Sequence, residues 1–302
     1  DMKVMSPSTF PKISIVTPSF NQGEFLEETI CSVLNQNYPN LEYIIIDGGS
    51  TDNSVEIIRK YEKHLKYWIS EKDKGVYDAI QKGFAQSTGE IMAWINSDDL
   101  YHPLSFLTIA EIFTSFPEVS WLQGNPSGFD EKSRNVALQP MRLWSRYNFY
   151  LKDFAFIQQE STFWRRTLWE KAGSGFDPNL KYAGDLELWL RFFRHERLFV
   201  TDALIAGFRF RSSNQLSFDN QEKYLIEAHT CIESEPLDEQ TRKAFASIRK
   251  LKSLLSKMRY FQIGRLKLKY YKLFNYPPVI KFNRLTQKFE LKNLVDFSLA
   301  KS

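Results

Sequence analysis

Ile91-Met-Ala-Trp-Ile-Asn-Ser-Asp-Asp-Leu100 is an apolar run that ends abruptly on Asn96, Asp98 and Asp99. Such a run reads as a buried strand. Carboxylates clustered at a strand's C-terminal end are how an open α/β sheet builds a place for a divalent cation and the phosphates it accompanies. Two other expected strand ends carry comparable polar cargo, Thr17-Pro-Ser19 and Asp47-Gly-Gly-Ser-Thr-Asp52. One nucleotide could span all three. No Gly-x-Gly-x-x-Gly follows the first strand and no Gly-x-x-x-x-Gly-Lys-Ser/Thr occurs, so neither a dinucleotide fold nor a P-loop is supported. Without a glycine-rich cradle a diphosphate must be neutralised by other means, and a magnesium or manganese ion held by Asp98 is the expected one.

The elements that must position these groups follow from periodicity. Ile13 to Thr17, Leu41 to Asp47, Tyr67 to Ser70 and Ile91 to Ile95 read as strands. Between them Leu26, Ile30, Val33 and Leu34 recur at helical spacing, Ser50 to Asn53 offer capping residues for a helix carrying Val55 and Ile58, and Val76 to Phe84 form a third helix. Short connections in this alternation predict a mostly parallel sheet with helices on both faces and right-handed crossovers. The near-continuous apolar run from Tyr43 to Ile46 suits a sheet covered on both sides. Further on come a helix to about Ser115, a strand from Val119 to Gln123, and an amphipathic helix marked by Leu186, Trp189, Leu190 and Phe193. Strands at Leu198 to Thr201 and Leu204 to Arg209 close this unit near residue 220.

Composition sets the outer limits. With 302 residues, 43% hydrophobic and 25% charged, the chain can bury one large core, or one catalytic domain with a helical appendix. Only Cys31 and Cys231 occur, far apart, which argues against a disulfide scaffold or a structural zinc site and fits a reducing compartment. They are expected as small buried apolar residues. None of His64, His102, His195 and His229 falls in a ligand cluster. No apolar segment approaches a membrane span, and no charged lead with a hydrophobic run opens the chain, so a soluble cytoplasmic or peripheral protein is expected. A start at Asp1 suggests a trimmed chain or one domain of something longer.

Charge is unevenly spread. Residues 241–302 hold 16 Lys/Arg against two acids, a local net of +14, so within a chain total of +4 the first 240 residues stand at −10. The stretch from Lys250 to Lys272 interleaves Leu, Tyr and Phe with basic residues. It can lie on the inner face of an anionic membrane, dock another domain, or form a solvated helical face. Nucleic acid is not an expected partner, since no recognition motif accompanies the charge.

Four motifs in this order and spacing resemble the N-terminal half of family 2 glycosyltransferases with the GT-A fold: Thr17-Pro-Ser-Phe-Asn, Gln36-Asn-Tyr-Pro-Asn-Leu-Glu-Tyr, Asp47-Gly-Gly-Ser-Thr-Asp-Asn-Ser and Gly89-Glu-Ile-Met-Ala-Trp-Ile-Asn-Ser-Asp-Asp. The likeness continues in Gln159-Glu-Ser-Thr-Phe-Trp-Arg-Arg166 and Tyr182-Ala-Gly-Asp-Leu-Glu-Leu-Trp-Leu-Arg191, and covers roughly residues 12–217. It implies a GT-A catalytic domain over residues 1–220, with a nucleotide-binding half at 12–100 and an acceptor half at 101–220, followed by a basic helical C-terminal extension at 221–302.

The implied reaction is inverting transfer of a sugar from a nucleoside diphosphate to an acceptor hydroxyl, in polysaccharide, lipopolysaccharide or glycoconjugate synthesis, with a saccharide or a lipid-linked acceptor. By the resemblance, Thr17, Pro18, Ser19, Asp47 and Gly48 serve the nucleobase. A carboxylate accepting a ring imide N–H suits UDP- or dTDP-sugars. Lys74, Gly75 and Asp78, in Asp73-Lys-Gly-Val-Tyr-Asp78, lie along the donor. Asn96-Ser97-Asp98 stands where the family has Asp-x-Asp, with Asp98 the metal ligand for Mn2+ or Mg2+ and Asp99 in support. Asp185 is the expected general base, because inversion needs a carboxylate opposite the leaving nucleotide to take the acceptor's proton; its place before a helix also suits capping. Many relatives carry a His about where Arg211 stands. Arginine cannot ligate a metal, so Arg211 or Arg209 is expected to clamp the diphosphate.

Two other classes compete. A sugar-1-phosphate nucleotidylyltransferase would need a glycine-rich basic loop after the first strand, which Thr17-Pro-Ser-Phe-Asn-Gln-Gly23 is not. A noncatalytic sugar-nucleotide binding module would have lost its acids, whereas Asp98 and Asp185 are both present. The aromatics Trp144, Tyr147, Phe149, Tyr150, Phe154, Phe156, Phe163 and Trp164 could stack on sugar rings, though core packing is the expected use.

Overall fold

The computed structural model describes residues 10–153, 156–212, 220–257 and 269–293. Four strands, β1 (Ile13–Ser19), β2 (Leu41–Asp47), β3 (Tyr67–Ser70) and β4 (Ile91–Trp94), run parallel in the order 3-2-1-4. They are joined through α1 (Leu26–Leu34), α2 (Ser54–Tyr61) and α3 (Val76–Ala85). Past β4 lie β5 (Leu100–Tyr101), α4 (Ser105–Ser115), β6 (Trp121–Gln123), β7 (Ser127–Phe129) and β8 (Asn135–Leu138). Then come α5 (Arg146–Tyr150), β9 (Thr162–Arg165), α6 (Arg166–Lys171), α7 (Gly184–His195), β10 (Phe199–Val200) and β11 (Ala206–Arg209). The central sheet reads β10-β6-β9-β4-β1-β2-β3, and β9 is its single antiparallel strand among the described residues. A second sheet, β5-β11-β7-β8, stands beside the carboxyl edge of the first.

Period-two alternation explains why the central strands are apolar throughout. Val16, Ile44, Ile46, Met92 and Trp94 face one core with α3 and α7, while Ile13, Ile15, Tyr43, Ile45, Ile91 and Ala93 face the other with α1 and α4. A sheet buried on both faces needs both sets. Gly83 lets α3 lie directly on β1: a Cβ there would come within 2.4 Å of Val16 Cγ1. The strand register places Ser19, Asp47 and Ser70 side by side at the carboxyl edge.

The C-terminal part is less purely helical than expected. Helices α8 (Gln221–Ser234) and α9 (Glu239–Lys257) are present, but after Pro277-Pro278 the chain forms a hairpin of β12 (Val279–Asn283) and β13 (Lys288–Lys292). Ile280 and Phe282 on one arm and Phe289 and Leu291 on the other alternate with polar residues, with Phe282 opposite Phe289, which is a strand pattern. This part is also no detached appendix. Ala228, Cys231, Ile248, Phe274 and Val279 join the core containing Trp94 and Trp189, and Ile280 joins the other. Helix α9 docks Phe245 on Tyr147 and Tyr150 and leaves Arg242, Lys243, Arg249, Lys250 and Lys252 exposed. Residues 258–268 of the basic stretch, residues 213–217 of the family likeness and Phe154 lie outside the described residues. No described helix is long and apolar enough to cross a membrane.

Of the other named aromatics, Trp144, Tyr147, Phe149, Tyr150, Phe163 and Trp164 are buried, and Phe156 is exposed beside Tyr224. Both cysteines are free; Cys231 is buried, but Cys31 is only partly so, its Sγ 3.4 Å from the Tyr61 hydroxyl.

Candidate active site

Asp47 ends β2 fully buried. Its carboxylate accepts the Ser50 amide at 2.9 Å, the Gly49 amide at 3.2 Å and the Ser70 hydroxyl at 2.6 Å, with the Ser50 hydroxyl at 2.5 Å. Gly49 has φ +83°, so the turn that brings these amides round favours glycine. Gly48 matters for another reason: a Cβ there would lie 2.7 Å from Asp73 Oδ2, so the Asp73–Gly75 loop rests against it. Thr17 is fully buried, its hydroxyl 3.1 Å from that of Tyr43, so its side chain is turned into the sheet rather than toward a ligand. Pro18 is buried in the strand too. Ser19 Oγ is buried with no hydrogen-bond partner, and next to it Phe20 is 59% exposed. The β1–α1 and β2–α2 loops are laced together by Asn21, Gln22 and Gly23 bonding to Ser50, Ser54 and Asp52.

Beyond β4 the chain turns through Asn96, Ser97, Asp98 and Asp99. Asp98 keeps a partly open carboxylate, and its Oδ2 lies 3.1 Å from Arg211 Nη1. The same guanidinium bonds Gln22 Oε1 at 2.9 Å and lies over the Phe25 ring at 4.7 Å. Asp99 is fully buried: Oδ1 accepts the Arg209 amide at 2.9 Å and Oδ2 the Asn96 side chain at 3.3 Å. Burial, followed by the nearby Glu160 and Asp98, raises its carboxyl well above the usual range. Both Asp99 oxygens are thus engaged within the turn, and Asp98 is the acid that keeps a partly open carboxylate. Arg209 is no clamp either. It is fully buried beneath the turn, bonding Asp98 O at 2.6 Å, Glu28 Oε2 at 2.7 Å and Ser133 Oγ at 3.0 Å. Of the two arginines, Arg211 is the one beside the open carboxylate.

No group of three His, Cys, Asp or Glu side chains is placed to hold a metal among the described residues. Asp98 alone fits a hard cation that takes most of its oxygens from diphosphate and water, which is magnesium's habit.

The second part of the site is the start of α7. Asp185 lies in its first turn, not at its cap, and is partly buried. Glu227 of α8 fixes the chain as it enters α7, its carboxylate accepting the amides of Lys181, Tyr182 and Ala183 at 2.8–3.2 Å, while Asp185 Oδ1 accepts the Leu186 amide of the first turn at 2.8 Å. Tyr77 of α3 donates to Tyr182 O at 3.0 Å and reaches Asp185 Oδ1 at 3.3 Å. Gly184 admits that ring: a Cβ there would sit 2.8 Å from it. Burial pushes the Asp185 carboxyl up to about 6, against the pull of the Leu186 amide and the Tyr77 hydroxyl. Trp189, one turn further on, stacks on Trp94 with centroids 5.7 Å apart and ties α7 to β4.

The Asp73–Asp78 segment leads from the Gly48 turn, against which Asp73 rests, to Tyr77 beside Asp185. Lys74 is exposed, its amide donating to Asp78 Oδ2 at 3.1 Å. Gly75 has φ +119°, and a Cβ there would meet nothing within 4 Å, so its backbone is open to a ligand. Asp78 also pairs with Lys82, 3.4 Å away, as an i,i+4 bridge on α3.

Tyr77, Glu227 and Glu160 are not singled out by the sequence. Tyr77 and Glu227 act across gaps of dozens of residues; Tyr77 does lie within the Asp73–Asp78 segment and Glu160 within the Gln159–Arg166 motif, which are the only signals that could have found them.

Residues 14–169 match the model of glycosyl transferase family 2, and the chain belongs to that family. It is a glycosyltransferase of GT-A-type fold. An uncharacterized glycosyltransferase of Mycobacterium tuberculosis is 33% identical over 187 residues, 60% of this chain and 68% of the relative. S. aureus TarS 1–349 in complex with UDP-GlcNAc superposes with a TM-score of 0.60 at 19% identity, over 87% of this chain and 79% of that one. The chain spans 44% of the longer TarS structure. A mannosyltransferase, PcManGT of Pyrobaculum calidifontis, in complex with GDP-Man and Mn2+, gives 0.52 at 15% identity, over 89% of this chain and 70% of that one.

Proposed function

We propose that the protein transfers a sugar, with inversion, from a UDP- or dTDP-sugar to an acceptor hydroxyl of a saccharide or lipid-linked substrate, with Asp185 as general base. The observation that carries this reading is the position and ionisation of Asp185. Its carboxyl, raised to about 6, lies within bonding reach of Tyr77 at the start of a helix that Trp189 locks to β4, the strand that leads to Asp98. A base with a pKa near the working pH is mostly ionised yet still basic enough to accept a proton.

The nucleoside end is assigned to the Ser19, Asp47 and Gly48 edge, where Ser19 Oγ awaits a partner and Phe20 offers an exposed face. Asp47 would take the imide N–H in addition to its own turn amides. Backbone at Gly75 and the side chain of Lys74 border the ribose and phosphates. Arg211 pairs with the diphosphate as negative charge develops on it. Asp98 would hold a magnesium or manganese ion, which when bound supplies further neutralisation of the leaving diphosphate. The ligands of the structural relatives, UDP-GlcNAc in TarS and GDP-Man with Mn2+ in PcManGT, support a nucleotide-sugar donor and leave the base to be tested. The exposed basic face of α9 is assigned to an anionic membrane surface, on the cytoplasmic side, where lipid-linked acceptors would lie.

A thermal-shift panel of UDP-, dTDP-, GDP- and ADP-sugars with and without manganese tests the donor class. One uridine or thymidine donor should raise the melting temperature by mass action. A flat response across the panel, or a purine donor alone, contradicts the assignment.

A further inference from the structure

The carboxyl edge of the sheet holds a second group of polar side chains that the nucleotide, the base and the clamp leave unused. The 3-10 turn Gln159–Ser161 leads into β9, which is antiparallel, so its start lies at the same edge as the ends of β4 and β6. Glu160 in that turn is 2% exposed and its Oε1 has no hydrogen-bond partner. Both amide atoms of Gln159 are buried and unpartnered as well. At the adjoining end of β6, Gln123 Nε2 and Asn125 Oδ1 are in the same condition. The turn itself does not depend on them: Ser161 Oγ bonds Ala206 O at 2.9 Å and the Gly124 amide bonds Ser161 O at 2.9 Å.

Buried polar atoms left unpaired carry an uncompensated desolvation cost, and native structures tolerate few of them. Five at one strand edge therefore call for a ligand rich in groups that both donate and accept. Their position says which. The Asp98 and Asp185 charges both act on the Glu160 carboxyl, so this turn at the ends of β4 and β6 lies near both the acid assigned to the diphosphate and the proposed base. In an in-line displacement the anomeric carbon lies between leaving oxygen and nucleophile, so the sugar ring occupies that interval.

We propose that Gln159 and Glu160 form the subsite that holds the hydroxyls of the donor sugar, with Gln123 and Asn125 on its flank. An amide and a carboxyl side by side match a vicinal diol, each hydroxyl giving one hydrogen bond and receiving another. These residues touch the sugar, not the nucleotide, and so set which sugar is accepted. The assignment rests on the nucleotide-sugar reading above.

The test measures affinity by titration calorimetry for UDP and dTDP and for their glucose conjugates, together with UDP-galactose and UDP-GlcNAc, on wild type, Glu160→Gln and Gln159→Leu. Each variant should bind the free nucleoside diphosphate within twofold of wild type, and lose about tenfold or more for the best-bound nucleotide sugar. Equal losses for diphosphate and nucleotide sugar, or no loss for either, overturn the subsite. Wild type that binds none of the ligands overturns the donor reading itself, and the subsite with it. Gln159 is less deeply buried than Glu160, so Gln159→Leu carries the test if Glu160→Gln does not fold.

Discussion

Trp94 and Trp189 stack with ring planes 9° from parallel and centroids 5.7 Å apart. Trp94 is four residues before Asp98 and Trp189 four after Asp185, so this contact ties the turn that carries Asp98 to the helix start that carries Asp185. Trp189→Ala should cost about 3–5 kcal/mol of stability, as large core truncations do. Trp189→Phe should keep the fold, since the indole N–H of Trp189 is buried without a partner and its loss removes an unmade hydrogen bond. Its effect should appear in kcat, by up to about 10²-fold, because a small displacement of the base is costly. Urea unfolding and steady-state kinetics on the two variants check both halves.

Asp185 should impose an acid limb on the rate. With its carboxyl raised to about 6, kcat/KM should climb with pH up to about 6 and then level. Stability should move the other way. A carboxyl raised by folding contributes stability that is complete below its unfolded value, near 4, and is lost as pH rises through the folded one. Glu160, raised chiefly by burial to about 8, extends that loss to higher pH. Ligand-free protein should therefore melt lower at pH 8.5 than at pH 5, and Glu160→Gln should reduce the difference. A pH-independent rate between 5 and 7 would count against Asp185 as base.

Much of the fold was legible. The β1 to β4 run, α1 to α4 and the α7 pattern were marked by strong periodicity, and their bounds differ from expectation by two residues or fewer at most ends. The hairpin at 279–292 was missed because the basic composition around it suggested a helix, while its short alternation, five residues per arm, was a weaker signal. In the site, side chains presented by strand ends were readable, since topology alone sends those ends to one edge. What those side chains bond was not. Arg209 and Arg211 are two residues apart on one strand end, yet one is a buried strut and the other faces Asp98, a distinction made by Glu28 and Ser133 from distant elements.

Glu227 is a positioning residue. Its carboxylate gathers three consecutive amides ahead of α7, and Glu227→Ala should cost about 1.5–3 kcal/mol through the loss of charge-assisted hydrogen bonds. Donor KM should stay within twofold while kcat falls about tenfold. Glu227→Asp should restore less than full activity, since the shorter arm cannot reach all three amides. A change confined to melting temperature would make the role purely structural.

Arg211→Met removes the cation beside Asp98 and spares the nucleoside end. UDP affinity should fall about 10–100-fold, in line with the loss of a charge-assisted bidentate contact, with uridine affinity unchanged. Added manganese should recover part of the UDP loss, because Asp98 is then released from its ion pair. Equal weakening of uridine and UDP would place Arg211 away from the phosphates.

The most direct test of the account is Asp185→Asn, which keeps the shape of the side chain and removes its basicity. Transfer from the donor chosen by the thermal panel should fall by about 10²–10⁴-fold in kcat, the usual share of a general base, while calorimetric affinity for UDP stays within twofold. An Asp185→Asn protein that transfers sugar at near wild-type rate would contradict the account.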